Sequence, residues 1–155
     1  MNENNKDYTL RLEAMLPVIE EKLKSGGSVT FGPHGVSMLP LIRQGKDSVT
    51  ISALKEKPQK GDVIFYRRAD GQFVLHRVVG QDSRGYIMCG DNQFFLERGI
   101  KENCIIGIMT EVIRDGKTIS CDNKEYLRYV RRLPWRRMRL RTIQTLKKIK
   151  KKILH

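Results

Sequence analysis

The chain has 155 residues, 39% of them hydrophobic, and a formal net charge of +13. That length sets it as one domain with at most an appendage. No run reaches the roughly 18 consecutive apolar residues of a membrane span, and the polar stretch Met1 to Asp7 argues against a secretory leader. Cys89, Cys104 and Cys121 are odd in number and lack metal-type spacing, so free thiols in a reducing, cytoplasmic setting are expected.

In chain order, Leu12, Leu16, Ile19 and Leu23 recur at helical spacing. Residues 8–24 therefore read as an amphipathic helix, ended by Ser25-Gly26-Gly27, with Pro17 either kinking it or starting a shorter one. This gives an N-terminal unit over 1–27. From Ser28 the pattern changes to short strands with turn punctuation: Val29–Phe31, Val49–Ile51, Val63–Arg67, Gln72–Val79, Tyr86–Cys89, Cys104–Ile113 and Lys117–Ser120. Asp70-Gly71 predicts a hairpin. The absence of strand–helix alternation argues against a dinucleotide-binding fold. The expected class is mainly β (α+β): a coiled antiparallel sheet or partly open barrel over 28–123. A helical tail over 124–155 follows, which Pro134 is expected to break into Lys124–Leu133 and Trp135–Lys152.

Three side chains in this order suggest nucleophilic hydrolysis. Ser37 lies on the glycine- and proline-bounded turn Gly35-Val36-Ser37-Met38-Leu39-Pro40. His76 lies in the run Phe73 to Val79 and shares a strand face with Val74 and Val78. Asp91 lies on the turn Gly90-Asp91-Asn92. A serine hydroxyl needs a neighbouring base, an imidazole titrates near neutrality, and a carboxylate can orient it. Taken singly, each residue has an ordinary reading: a structural serine, a packed histidine, a turn carboxylate. His34, three residues before Ser37, is a competing imidazole with a turn or solvent role as its ordinary reading.

The segment Gly35 to Ile113 resembles the type I signal peptidase family and, more loosely, the LexA-type self-cleaving repressors. Gly35 to Pro40 is similar to the family's nucleophile box. Gly61 to Tyr66 is similar to its Gly-Asp-hydrophobic strand, and Val74 to Val79 to the box of the general base. Gly90 to Asn92 and Ile105 to Gly107 are similar to the remaining boxes. Histidine rather than lysine at the base position resembles the Ser-His branch. The resemblance implies a serine-type endopeptidase with Ser37 as nucleophile and His76 as base. Asp91 and a second acid about six residues later would support the base. Glu97 stands where that second acid is aspartate, so either carboxylate can be the one that orients His76. The resemblance further implies an extended peptide substrate, cut from a leader or signal-like segment, with small residues near the scissile bond. Met38 and Leu39 are expected pocket walls. No motif calls for a cofactor or a metal. The hydrophobic anchor usual before the nucleophile is not seen, and Gly45-Lys46-Asp47 interrupts the usual adjacent Gly-Asp. The alternative is a non-catalytic or regulatory binding domain, related to repressor C-terminal domains.

The charge is unevenly placed. Lys124 to His155 holds 13 Lys+Arg and one acid, whereas Met1 to Asn123 holds 17 basic and 16 acidic residues. As one helix, the tail projects Trp135, Met138, Leu146, Ile149 and Ile153 within a narrow sector, with Ile143 and Leu154 at its margin. Residues 135–154 then suit an anionic membrane surface, the inner leaflet for a cytoplasmic protein. The ordinary reading is a helix packed on the domain by that stripe, and nucleic acid is a weaker third partner.

Overall fold

The computed structural model describes residues 3–153, with side chains over 7–143, 145 and 146. The elements run α1 (Glu3–Lys24), β1 (Ser28–Phe31), β2 (Ser48–Ser52), β3 (Val63–Arg67), β4 (Phe73–Asp82), β5 (Gly85–Cys89) and β6 (Glu97–Ile100). A short 3-10 turn at Glu102–Cys104 leads to β7 (Ile105–Arg114), β8 (Lys117–Ser120) and α2 (Lys124–Ile153). The eight strands of the described residues form one antiparallel, unclosed sheet, seven of them in the order β1-β2-β7-β3-β4-β5-β6 and β8 added beside β7. Strand β7 pairs β2 along one side, and β3 and then β8 along the other. This is an α+β fold.

Alternation along β3 explains why Val63 to Tyr66 reads as an unbroken apolar run: both faces of the sheet are covered. Val63 and Phe65 join Leu12, Ile19 and Leu23 of α1, with Val49, Ile51 and Leu75, in the main core. Ile64 and Tyr66 join Val78, Tyr86, Met88 and Ile100 in a second core. The β3–β4 hairpin turns at Asp70-Gly71 as expected. Arg68 N–H donates to the Gln72 carbonyl at 2.8 Å, and Gly71 takes φ +84°, a left-handed value suited to glycine.

Both helices contain a proline: Pro17 does not start a shorter helix, and Pro134 does not divide the tail into two as expected. Helix α1 begins at Glu3 and runs through Pro17, which faces solvent while Leu12, Ile19 and Leu23 are buried. Helix α2 runs unbroken through Pro134. A proline forfeits one backbone bond, but anchors on both sides hold this helix: Tyr126 and Leu133 are buried before it, and Arg136 and Arg137 reach the Gly90–Asn92 turn after it. Strand β6 was not expected at all. Glu-Arg-Gly-Ile has no apolar alternation, and its extended form follows from pairing with β5.

Candidate functional site

The Ser37 turn is hung on the Gly90–Asn92 turn. Asn92 N–H donates to the Ser37 carbonyl at 2.8 Å, and Asn92 Nδ2 donates to the Val36 carbonyl at 3.3 Å. The approach is so close that a Cβ on Gly90 would lie 2.6 Å from the Ser37 carbonyl oxygen, so the position requires glycine. Gly35 supplies a left-handed φ of +98° two residues before Ser37, and the Leu39–Pro40 peptide is cis. After the turn, buried Asp47 anchors the chain. It accepts from the Arg43 amide at 2.8 Å, forms an ion pair with Arg43 at 2.7 Å, and meets Arg114 of β7 at 3.1 Å. Arg43, with help from Arg114, lowers the Asp47 carboxyl to about 2.

His76 is 3% exposed on β4, opposite Ile64 of β3. Its Nδ1 lies 3.4 Å from the Tyr66 hydroxyl and 3.9 Å from Glu97 Oε2. The Tyr66 hydroxyl donates to Glu97 Oε2 at 2.9 Å, so its oxygen is left to accept from Nδ1–H. That network assigns the proton to Nδ1 and leaves the Nε2 lone pair free. Arg68 grips Glu97 with two bonds, at 2.7 and 2.6 Å, and holds it in place. Burial, and then the Arg68 charge, lower the His76 pKa to about 4, against a smaller opposing effect of Glu97. The imidazole is therefore neutral at pH 7. Burial, reinforced by Glu97, pushes the Tyr66 phenol up, so it stays a donor.

Asp91 sits elsewhere. It is fully buried and takes a two-pronged contact from Arg77 at 2.8 and 2.6 Å, with the Tyr129 hydroxyl of α2 donating at 2.9 Å and the Arg137 guanidinium within ion-pair range at 3.7 Å. Arg77 also donates to the Gly61 carbonyl at 2.6 Å and to the Tyr126 hydroxyl at 2.9 Å. Of the two carboxylates, Glu97 lies beside the imidazole, and Asp91 ties together β4, the Gly90–Asn92 turn and α2.

The β4–β5 register places Cys89 opposite Arg77. The pairing ends there, and the Ser37 carbonyl abuts Gly90, the next residue. Before Arg77, β4 pairs only with β3, and its other edge is open. A groove of about 400 Å³ runs along that edge, between Phe31–Met38 and Gln72–Leu75, with Ser37, Met38, Phe65 and Gln93 in its lining. Leu39, the other expected wall, does not line it. Neither the Ser37 hydroxyl nor His76 Nε2 has a hydrogen-bond partner among the described residues, so no Ser37–His76 hydrogen bond is formed, and His76 is not among the residues that line the groove. The Ser37 and Met38 amides also donate to no described residue.

His34 lies at the groove rim, exposed, its Nδ1 3.1 Å from Gln44 Nε2 and its ring against Tyr8. Cys89 is buried, and burial pushes its thiol up, away from thiolate chemistry. Tyr66 and Arg68 were missed from sequence, since a tyrosine in an apolar run reads as core and an arginine after it as surface. All three cysteines are free. No helix of the described residues is long and apolar enough to cross a membrane. No family model, no curated protein and no solved structure matches the chain.

Proposed function

We propose that the protein is a serine endopeptidase of signal-peptidase-like fold, with Ser37 as nucleophile and His76 as general base. The observation that carries this reading is the Glu97–Tyr66–His76 chain, which leaves a neutral imidazole with a bare Nε2 on the strand beside the Ser37 turn. In the reaction Ser37 Oγ adds to a peptide carbonyl carbon while its proton passes to Nε2. The unpartnered Ser37 and Met38 amides are suited to the oxyanion. Collapse breaks the C–N bond, and Nε2–H protonates the leaving amine. Water, deprotonated by Nε2, then adds to the acyl carbon, and collapse breaks the C–Oγ bond as Nε2–H returns its proton to Ser37 Oγ.

The open edge of β4 supports an extended substrate that adds as a strand beside Val74 and Leu75. Small side chains next to the scissile bond and a leader-like segment as substrate complete the reading on the strength of the resemblance. Glu97, with Tyr66, positions the base, and Asp91 acts through the turn that carries Ser37.

A second reading, a peptidase-like binding domain, is favoured by one observation: the open Ser–His bond. An acylating probe for serine nucleophiles separates the two. The peptidase reading expects one covalent adduct on Ser37 by mass spectrometry, absent in Ser37→Ala and slowed by at least about 100-fold in His76→Ala. Acylation at the same rate in His76→Ala and wild type would remove the imidazole from the mechanism.

A further inference from the structure

Helix α2 presents two unlike faces. Tyr126 and Leu133 are buried on the domain side, and Tyr129 donates to Asp91. At about 100° per residue, Trp135, Met138 and Leu146 fall within roughly 80° of one another on the opposite side of the helix. They are 72%, 57% and 60% exposed. The apolar stripe is thus not what fastens the helix to the sheet: its described side chains are mostly exposed, and Trp135 only borders a cavity shared with Pro40. Arg131, Arg132 and Arg139 are exposed around it, and Glu125 is the one acid from Lys124 onward. Ile149 and Ile153, which extend the stripe in the sequence, fall outside the described side chains.

We propose that the outer face of α2 is a docking surface for an anionic lipid bilayer. The helix lies in the plane of the interface, with Trp135, Met138 and Leu146 at the level of the upper acyl chains and the arginines at headgroup phosphates. Charge complementarity selects an anionic surface, and the stripe selects a bilayer over a nucleic acid. Phosphates of DNA or RNA would satisfy the arginines but leave Met138 and Leu146 in water. A bilayer takes both sets at once. Docking of this kind holds the protein at a membrane without a spanning helix. It stands independently of the chemistry at Ser37.

Trp135 is the sole tryptophan of the chain, so its emission reports directly on the proposed contact. The full-length protein is mixed with vesicles of phosphatidylcholine alone, or of phosphatidylcholine with phosphatidylglycerol, and followed by flotation and fluorescence. Flotation with the phosphatidylglycerol vesicles is expected, with a blue shift of Trp135 and quenching by brominated acyl chains. A Trp135→Ser, Met138→Ser, Leu146→Ser variant keeps its charge and touches only exposed positions. It is expected to partition at least about tenfold more weakly. Three results would overturn the proposal: no flotation, flotation with unshifted Trp135 emission, or equal partitioning of the triple variant. A duplex oligonucleotide that binds the protein while phosphatidylglycerol vesicles do not would overturn it as well.

Discussion

Tyr66 decides which nitrogen of His76 bears the proton. Its hydroxyl can give its hydrogen to Glu97 and receive one from the imidazole at the same time, which a carboxylate 3.9 Å away cannot do directly. Tyr66→Phe removes that intermediary and little volume. If His76 is the base, the expected cost is about tenfold in acylation rate, with a melting temperature lowered by a few degrees at most, since buried His76 Nδ1–H and Glu97 each lose a partner. An unchanged rate would show that the tautomer is set by something else. The setting of His76 also has a pH signature. In the unfolded chain an imidazole titrates near 6.5, and in the fold it titrates at about 4. Between those values the unfolded state holds the proton and the folded state does not, so acid favours unfolding. The stability contribution is complete above pH 6.5 and is lost as pH falls toward 4, on the order of 3 kcal/mol. Urea melts across that window should show this loss in the wild type. The difference between wild type and His76→Gln isolates it from carboxylate effects, and parallel pH profiles would refute it.

Helix α2 is both a structural member and a surface element, and the division falls near Pro134. Its first turns supply Tyr126 and Leu133 to buried positions and Tyr129 to Asp91. A chain ending at Asn123 strands Asp91 with fewer donors and uncovers apolar surface, at a cost on the order of 5 kcal/mol. A chain ending at Leu140 keeps these contacts. Denaturant titration should therefore show the shorter chain unfolded or deeply destabilised and the longer one close to wild type. Equal midpoints would mean that the helix contributes nothing to the core.

Across the molecule, what was legible in the sequence is what local chemistry decides. Val63–Arg67 and Lys117–Ser120 stand where the strand pattern put them, and the Asp70-Gly71 hairpin follows from turn residues alone. The candidate residues Ser37, His76 and Asp91 could be read from their turns and strand, but the partner of Asp91 could not. A Gly-Asp-Asn turn advertises local bonding and hides an arginine 14 positions back that only the β4–β5 register delivers. Strand β6 was hidden for the same reason, since Glu97–Ile100 is held by a neighbour and not by its own pattern. Pro134 signalled a break because the anchors that outweigh it lie elsewhere in the chain. The basic, apolar-striped tail was visible as a helical wheel, but a wheel gives the angle between faces and not which one meets the domain.

The open bond between Ser37 and His76 acquires meaning from how each is mounted. The imidazole belongs to a frame of consecutively paired strands, β3, β4, β5 and β6, while the hydroxyl rides on a loop suspended from the Gly90–Asn92 turn, which α2 braces through Arg136 and Tyr129. Arg77, next to His76 on β4, grips Asp91 of the turn from which the Ser37 loop hangs, so the two mounts are fastened to each other one residue from the imidazole. In the proposed chemistry, alignment of the two reacting groups is then set by this buried fastening, and loosening it would impair reaction with both groups left intact.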